Sequence, residues 1–128
     1  MSGLDNRPKT IFCDIDGTLV KHMAPSEATS PYNKMEVIPG TIEKLLEWER
    51  KGYNIILTTG RKACMRKQTE NQLAEAGIVY DQLVMGFGGG ARYLINDMKT
   101  DGRNATAFAI NLKRNTEGIK DINLDLPY

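Results

Sequence analysis

Lys9-Thr10-Ile11-Phe12-Cys13-Asp14-Ile15-Asp16-Gly17-Thr18-Leu19-Val20 is the stretch on which the reading of this chain turns. Its apolar run, Ile11 to Cys13, is short, β-branched and aromatic, and Pro8 stands just before it. That suits a buried strand over about Thr10 to Ile15 better than a helix. Strand residues alternate faces, so Asp14 and Asp16 point the same way if the strand continues to Asp16. Two carboxylates side by side repel unless a cation or a shared proton compensates. Oxygen-rich sites of this kind suit Mg²⁺, which takes few protein ligands and pairs with phosphate. The chemistry implied is metal-assisted phosphoryl transfer, with one aspartate available to attack phosphorus. The plain alternative is a surface turn, since Asp-Gly is a common turn dipeptide.

Outward from that stretch, residues 21–40 hold three prolines and no clear period, and they read as a loop or short β-flap over the site. Pro39-Gly40-Thr41 opens a helix that carries Ile42, Leu45, Leu46 and Trp48 and closes at Gly52. Tyr53 to Thr59 is a second strand. Gly60-Arg61-Lys62 turns into a second helix, about Ala63 to Ala76, that ends at Gly77. Residues 79–85 make a third strand, Gly86-Phe87-Gly88-Gly89-Gly90 a turn, Arg92 to Asn96 a fourth strand and Ala105 to Asn111 a fifth. Alternating β and α units imply an α/β fold: a three-layer, Rossmann-like, mostly parallel sheet of about five strands with helices on both faces. Ligands of such sheets bind at the carboxyl ends of the strands. Asp14, Asp16, Thr59 and Asp97 all fall there. At the end of the second strand Thr59, with Thr58 as the register alternative, offers a hydroxyl, and Gly60 leads into free helix-start N–H groups suited to phosphate. Thr59 could equally be a helix cap.

Bulk properties set limits. The 128 residues suffice for one domain, with a core over about 9–112 and a charged tail over 113–128. Seventeen Lys and Arg against 16 Asp and Glu give a net charge of +1, so no global field favours nucleic acid or an anionic membrane. No apolar run nears the ~20 residues of a membrane span, and no signal-peptide core precedes the first strand. The two cysteines point to a reducing, cytoplasmic setting. Cys13 reads as a small buried hydrophobe and Cys64 as incidental.

Asp14-Ile15-Asp16-Gly17-Thr18-Leu19 after an apolar strand resembles the first motif of the haloacid dehalogenase superfamily, DxDGT[LV]. The resemblance implies a small, capless phosphatase in which Asp14 is the nucleophile and Asp16 the general acid–base. Ile55-Ile56-Leu57-Thr58-Thr59-Gly60-Arg61 is similar to the second motif. That makes Thr59 catalytic, and Thr18, Gly60 and Arg61 substrate-binding. Asp97 and Asp101 resemble the acidic fourth motif, which with Asp14 and Asp16 would hold Mg²⁺. The family's third-motif lysine commonly follows the third strand as Gly-Lys-Pro, but Gly86-Phe87-Gly88 stands there. Arg92 is the expected substitute, with Lys99 as runner-up. Lys113, Arg114 and Lys120 read as ordinary charged surface.

The stretches from Asp14 to Thr59 and from Thr59 to Asp97 are too short for a folded cap. The site is therefore expected to be open, or covered by a second subunit of a homo-oligomer. A small phosphometabolite such as a phosphosugar is the expected substrate, and the charge balance disfavours nucleic acid. Two other readings stand beside this one. The first is a catalytically silent domain of the same fold that binds a phosphorylated ligand or protein. The second is a transferase whose DxD holds a metal and a nucleotide sugar.

Overall fold

A computed structural model describes residues 7–30, 32–98, 102 and 105–125. Strand β1 (Thr10–Asp14) is followed by a single-turn helix α1 (Pro25–Ala28), helix α2 (Thr41–Arg50) and strand β2 (Asn54–Thr59). A 3₁₀ turn (Ala63–Met65) then runs into helix α3 (Arg66–Ala76), and strand β3 (Gln82–Met85) follows. The sheet order is β1-β2-β3 and both pairings are parallel, with Asp14 opposite Thr58 and Thr59 opposite Met85. β3 starts later than its apolar run because Asp81 replaces the ladder there: its carboxylate accepts the Ile55 N–H at 2.7 Å, and its own N–H donates to the Ile55 carbonyl at 2.8 Å.

Both crossovers step the same way across the sheet, so right-handed connections put α2 and α3 on one face. Burial agrees. Cys13, Ile55, Leu57 and Leu83 share a core with Leu45 and Trp48 of α2 and Leu73 of α3. The opposite face carries Phe12 and Val84, exposed at 57% and 43%, beside half-buried Ile56 and Thr58.

The α/β class and the parallel sheet are as the pattern predicts. Strand number and layering differ: among the described residues there are three strands, and helices line one face. The stretches expected as strands four and five, 92–96 and 105–111, have no ladder partners, and Tyr93 and Ile95 are about nine-tenths exposed. Their apolar spacing suits strands, but the links at 86–91 and 97–104 are shorter than the dozen or so residues a parallel crossover requires, and neither stretch forms the antiparallel pairing that short links allow.

The flap is part loop and part β-like. Val20 bridges Val37 in antiparallel fashion, and the Lys21 and Ile38 N–H groups donate to Glu36 and Leu19 carbonyls. Gln68 of α3 donates to the Ala28 and Ser30 carbonyls, holding the flap's crest against that helix. The tail also departs from a plain charged surface. Ile119 is buried in the core, and Lys44 Nζ donates to the Ile122 carbonyl at 2.9 Å. No helix among the described residues is long and apolar enough to cross a membrane.

Both cysteines are free thiols. Burial pushes the Cys13 thiol up to about 12, with the Asp14 charge adding to the rise, so it stays neutral and unreactive at neutral pH. Cys64 is exposed. Titration of the native protein with a thiol reagent should therefore consume one equivalent rapidly, at Cys64, and the second only on unfolding; two fast equivalents would contradict the packing of β1.

Candidate active site

The two aspartates diverge because β1 ends at Asp14. Asp14 keeps the face opposite the helices and is exposed, with Thr58 as its direct neighbour across the ladder. Ile15 then drops into the core, fully buried, and Asp16 follows it round a tight turn in which the Thr18, Leu19 and Val20 N–H groups all donate to the Ile15 carbonyl. Gly17, at φ +87, makes that turn possible. Asp16 emerges on the α3 side.

There it meets Arg61. Arg61 Nη2 donates to Asp16 Oδ1 at 2.8 Å and Nε to Oδ2 at 3.0 Å, a bidentate pair whose side chains are only 7% and 15% exposed. Nη1 donates to Thr69 Oγ1 at 3.1 Å and Gln72 Oε1 at 2.7 Å, and Nη2 also reaches Met23 Sδ at 3.8 Å. A guanidinium has five N–H donors, and these contacts occupy all of them. Arg61, expected to bind substrate, is instead turned inward to orient Asp16. The Arg61 main chain is fixed too: its N–H donates to Thr59 Oγ1 at 3.1 Å, and its carbonyl accepts the Gly86 N–H at 2.9 Å.

Thr59 is 1% exposed, and its hydroxyl lies 3.5 Å from Asp16 Oδ2 as well as on the Arg61 amide. The threonine beside Asp14 is Thr58, the register alternative. Thr18 is half-buried in the turn, its N–H committed to Ile15. Gly60 is required by contact: a β-carbon there would come within 2.3 Å of the Gly88 carbonyl oxygen, so a side chain would push the glycine-rich 86–90 segment off the end of β2.

The Asp14 carboxyl is pushed above the usual carboxylate value, first by partial withdrawal from water and further by the Asp16 charge. The Ile15 N–H, Arg92 and Arg114 act in the opposite direction. Arg92 is thus one of two arginines whose charge acts on Asp14. It is exposed, donates to the Gly88 and Gly90 carbonyls, and lies over the Phe87 ring at 4.5 Å. Arg114 lay outside the expected site; its one sequence signal is Asn115 next to it, a residue type that tolerates the left-handed conformation it adopts at φ 64.

Asp97 forms no metal cluster with Asp14 and Asp16 among the described residues. It is exposed, its carbonyl accepts the Thr106 hydroxyl at 2.6 Å, and no cluster of three or more His, Cys, Asp or Glu residues suited to a metal exists among the described residues. The reason is the missing fourth strand, which was to deliver it. Lys99 and Asp101 lie outside the described residues. The oxygens at hand, the Asp14 carboxylate and the Asp16 main-chain carbonyl, are hard donors of the kind Mg²⁺ takes. One or two carboxylates completed by water and phosphate suffice for that ion.

The chain is similar in sequence and fold to known proteins. Residues 11–114 match the family model described as PITM 1-3, LNS2 domain. A solved structure of the Pnkp1/Rnl/Hen1 complex is similar over 67% of this chain and 30% of its own, at 30% identity and a TM-score of 0.54. A structure of the Pnkp1/Rnl/Hen1 RNA repair complex matches over 61% and 25%, at 32% identity and a TM-score of 0.52. The chain thus spans less than a third of either relative. A Vibrio cholerae protein shares the fold over 91% of both chains, at 20% identity and a TM-score of 0.56. No match was found among curated proteins.

Removing one partner of a buried ion pair strands the other charge. Arg61→Ala should therefore lower unfolding free energy by about 3–5 kcal/mol in chemical denaturation. Arg61→Lys should recover only part, for want of a bidentate fork. A loss under about 1 kcal/mol for the alanine variant would mean that the Asp16 pair is not formed in solution.

Proposed function

The chain belongs to the LNS2 domain family, with a haloacid-dehalogenase-like fold, and from that premise we propose that it is a Mg²⁺-dependent phosphatase working through an aspartyl-phosphate. The observation that carries the reading is the exposed Asp14 carboxylate at the carboxyl end of β1, flanked by arginine charge while its neighbour Asp16 is held by Arg61. An Asp14 oxygen attacks phosphorus, the bond from phosphorus to the ester oxygen breaks, and the departing oxygen takes a proton from Asp16. In the second half Asp16 removes a proton from water as that water attacks phosphorus. The bond to Asp14 then breaks, and phosphate leaves with the Asp14 carboxylate restored. To carry its proton to the leaving oxygen Asp16 must give up one Arg61 bond and turn from the α3 side toward Asp14, and the Thr59 hydroxyl, 3.5 Å from Oδ2, can accept the hydrogen bond of the protonated oxygen until it does. Mg²⁺ held by the Asp14 carboxylate and the Asp16 carbonyl would neutralise phosphate charge.

The substrate is a small phosphomonoester, in keeping with a net charge of +1 and an uncapped strand end. Similarity to a component of an RNA repair complex makes a phosphorylated RNA end the second candidate. The silent-domain reading is favoured by one observation: among the described residues no three or more His, Cys, Asp or Glu side chains gather as a metal cluster would require.

p-Nitrophenyl phosphate, a sugar phosphate and a phosphorylated oligonucleotide, each assayed with Mg²⁺, test these readings together. Hydrolysis should fall more than about a thousandfold in Asp14→Asn and about 10²–10⁴-fold in Asp16→Asn. It should also stop with EDTA and return with Mg²⁺. Equal rates in wild type and Asp14→Asn would refute nucleophilic catalysis at Asp14.

A further inference from the structure

We propose that Arg114, supplied by the segment that follows residue 112, is the cation that grips the phosphoryl group at Asp14. The proposal deepens the phosphatase reading and takes from it the group that is bound, but the grip itself is a matter of phosphate affinity and not of turnover.

The segment is clamped to the site by the residue next to Arg114. The Asn115 N–H donates to the Gly17 carbonyl at 2.8 Å. Asn115 Oδ1 accepts the His22 N–H at 2.6 Å, and its carbonyl accepts Lys21 Nζ at 2.8 Å. Those three bonds join the turn after β1, the root of the flap and the tail at a single residue. Further on, Gly118 is pressed so closely on Ile38 that a β-carbon would meet its Cγ2 at 2.8 Å, and Ile119 is 2% exposed in the core. The backbone that carries Arg114 is thereby fixed on its carboxyl-terminal side.

The side chain then runs over Gly17. A β-carbon at Gly17 would lie 2.9 Å from Arg114 Cγ and 3.7 Å from both Cδ and Nε, so the glycine that permits the turn also makes room for the arginine stem. The stem thereby crosses the turn that directly follows Asp14-Ile15-Asp16, at the carboxyl end of β1. The residue is exposed, and among the described residues its guanidinium makes no ion pair or hydrogen bond. Other cations near the site have contacts of their own. All five Arg61 donors are used within the protein, and Arg92, whose charge also acts on Asp14, donates to its own glycine loop and is stacked on Phe87. Attack of a carboxylate on a phosphate brings two anions together, which requires a positive group reaching both. A guanidinium fork with free donors, on a stem that crosses the turn after Asp14 and Asp16, meets that requirement and matches phosphate in shape.

Calorimetric titration of the full chain with inorganic phosphate in the presence of Mg²⁺ tests the grip, with folding of each variant checked by its unfolding transition. Arg114→Gln, which keeps the stem over Gly17, should weaken phosphate binding at least tenfold, as should Arg114→Ala; Arg114→Lys should recover part of it, and Arg92→Ala should cost less. Wild-type affinity in Arg114→Gln, with or without a loss in Arg114→Ala, would overturn the proposal, because only packing would then be at stake. So would absence of phosphate binding by the wild type. Arg114-dependent binding in a protein that hydrolyses none of the phosphomonoesters would retain the grip and reject the phosphatase reading instead.

Discussion

The buried pair between Asp16 and Arg61 is the constraint that the rest of the site depends on. Taking two charges out of water costs several kcal/mol per ion, and the cost is offset only where geometry is good and the remaining donors are satisfied. Both conditions hold: the pair is bidentate, and Thr69, Gln72 and Met23 take what Asp16 leaves. The pair therefore binds four segments to one another: the turn after β1, the end of β2, helix α3 and the flap. Gln72 extends the network by donating to the Asn33 carbonyl, so the flap's far side is positioned through the same hub. No buried side-chain nitrogen or oxygen among the described residues is left without a partner.

That constraint divides two chemically identical residues into two roles. Asp16 is oriented from the helix side by a cation whose donors are all used within the protein. Asp14, two residues earlier, keeps the opposite face, where Thr58 lies beside it and arginine charge reaches it without closing an ion pair among the described residues. The turn that separates them needs glycine at 17, and the same absent side chain admits Arg114. One small residue thus serves both the backbone and the electrostatics. The glycine-rich segment after β3 acts similarly, approaching Gly60 as only a residue without a β-carbon allows.

Local signals in the sequence were sufficient for β1, β2, α2 and α3. The apolar run up to Cys13, the helical spacing through Leu45 and the stops at Gly52 and Gly77 each have a local cause. The positions of Asp14 and Asp16 at a strand end were legible for the same reason. Their divergence was not, because it hangs on where β1 stops, which is decided by the Ile15 turn. The inward path of Arg61 was hidden as well: its partners Thr69 and Gln72 come from α3, and a Thr-Gly-Arg string does not say which way the arginine faces. Residues 92–96 and 105–111 have strand-like composition, yet addition to a parallel sheet depends on crossovers that the short links do not provide. Arg114 was missed because its neighbourhood is built by hydrogen bonds between Asn115 and residues more than ninety positions away.

The central claim is that Asp14, and not Asp16, takes the phosphoryl group. Acid quenching during turnover of a ³²P-labelled phosphomonoester, followed by peptide mapping of the trapped protein, tests it most directly. Label on the peptide bearing Asp14, absent from Asp14→Asn and retained in Asp16→Asn, is the result this arrangement predicts. Label that persists in Asp14→Asn, or hydrolysis that proceeds with no labelled protein at any quench time, would contradict it.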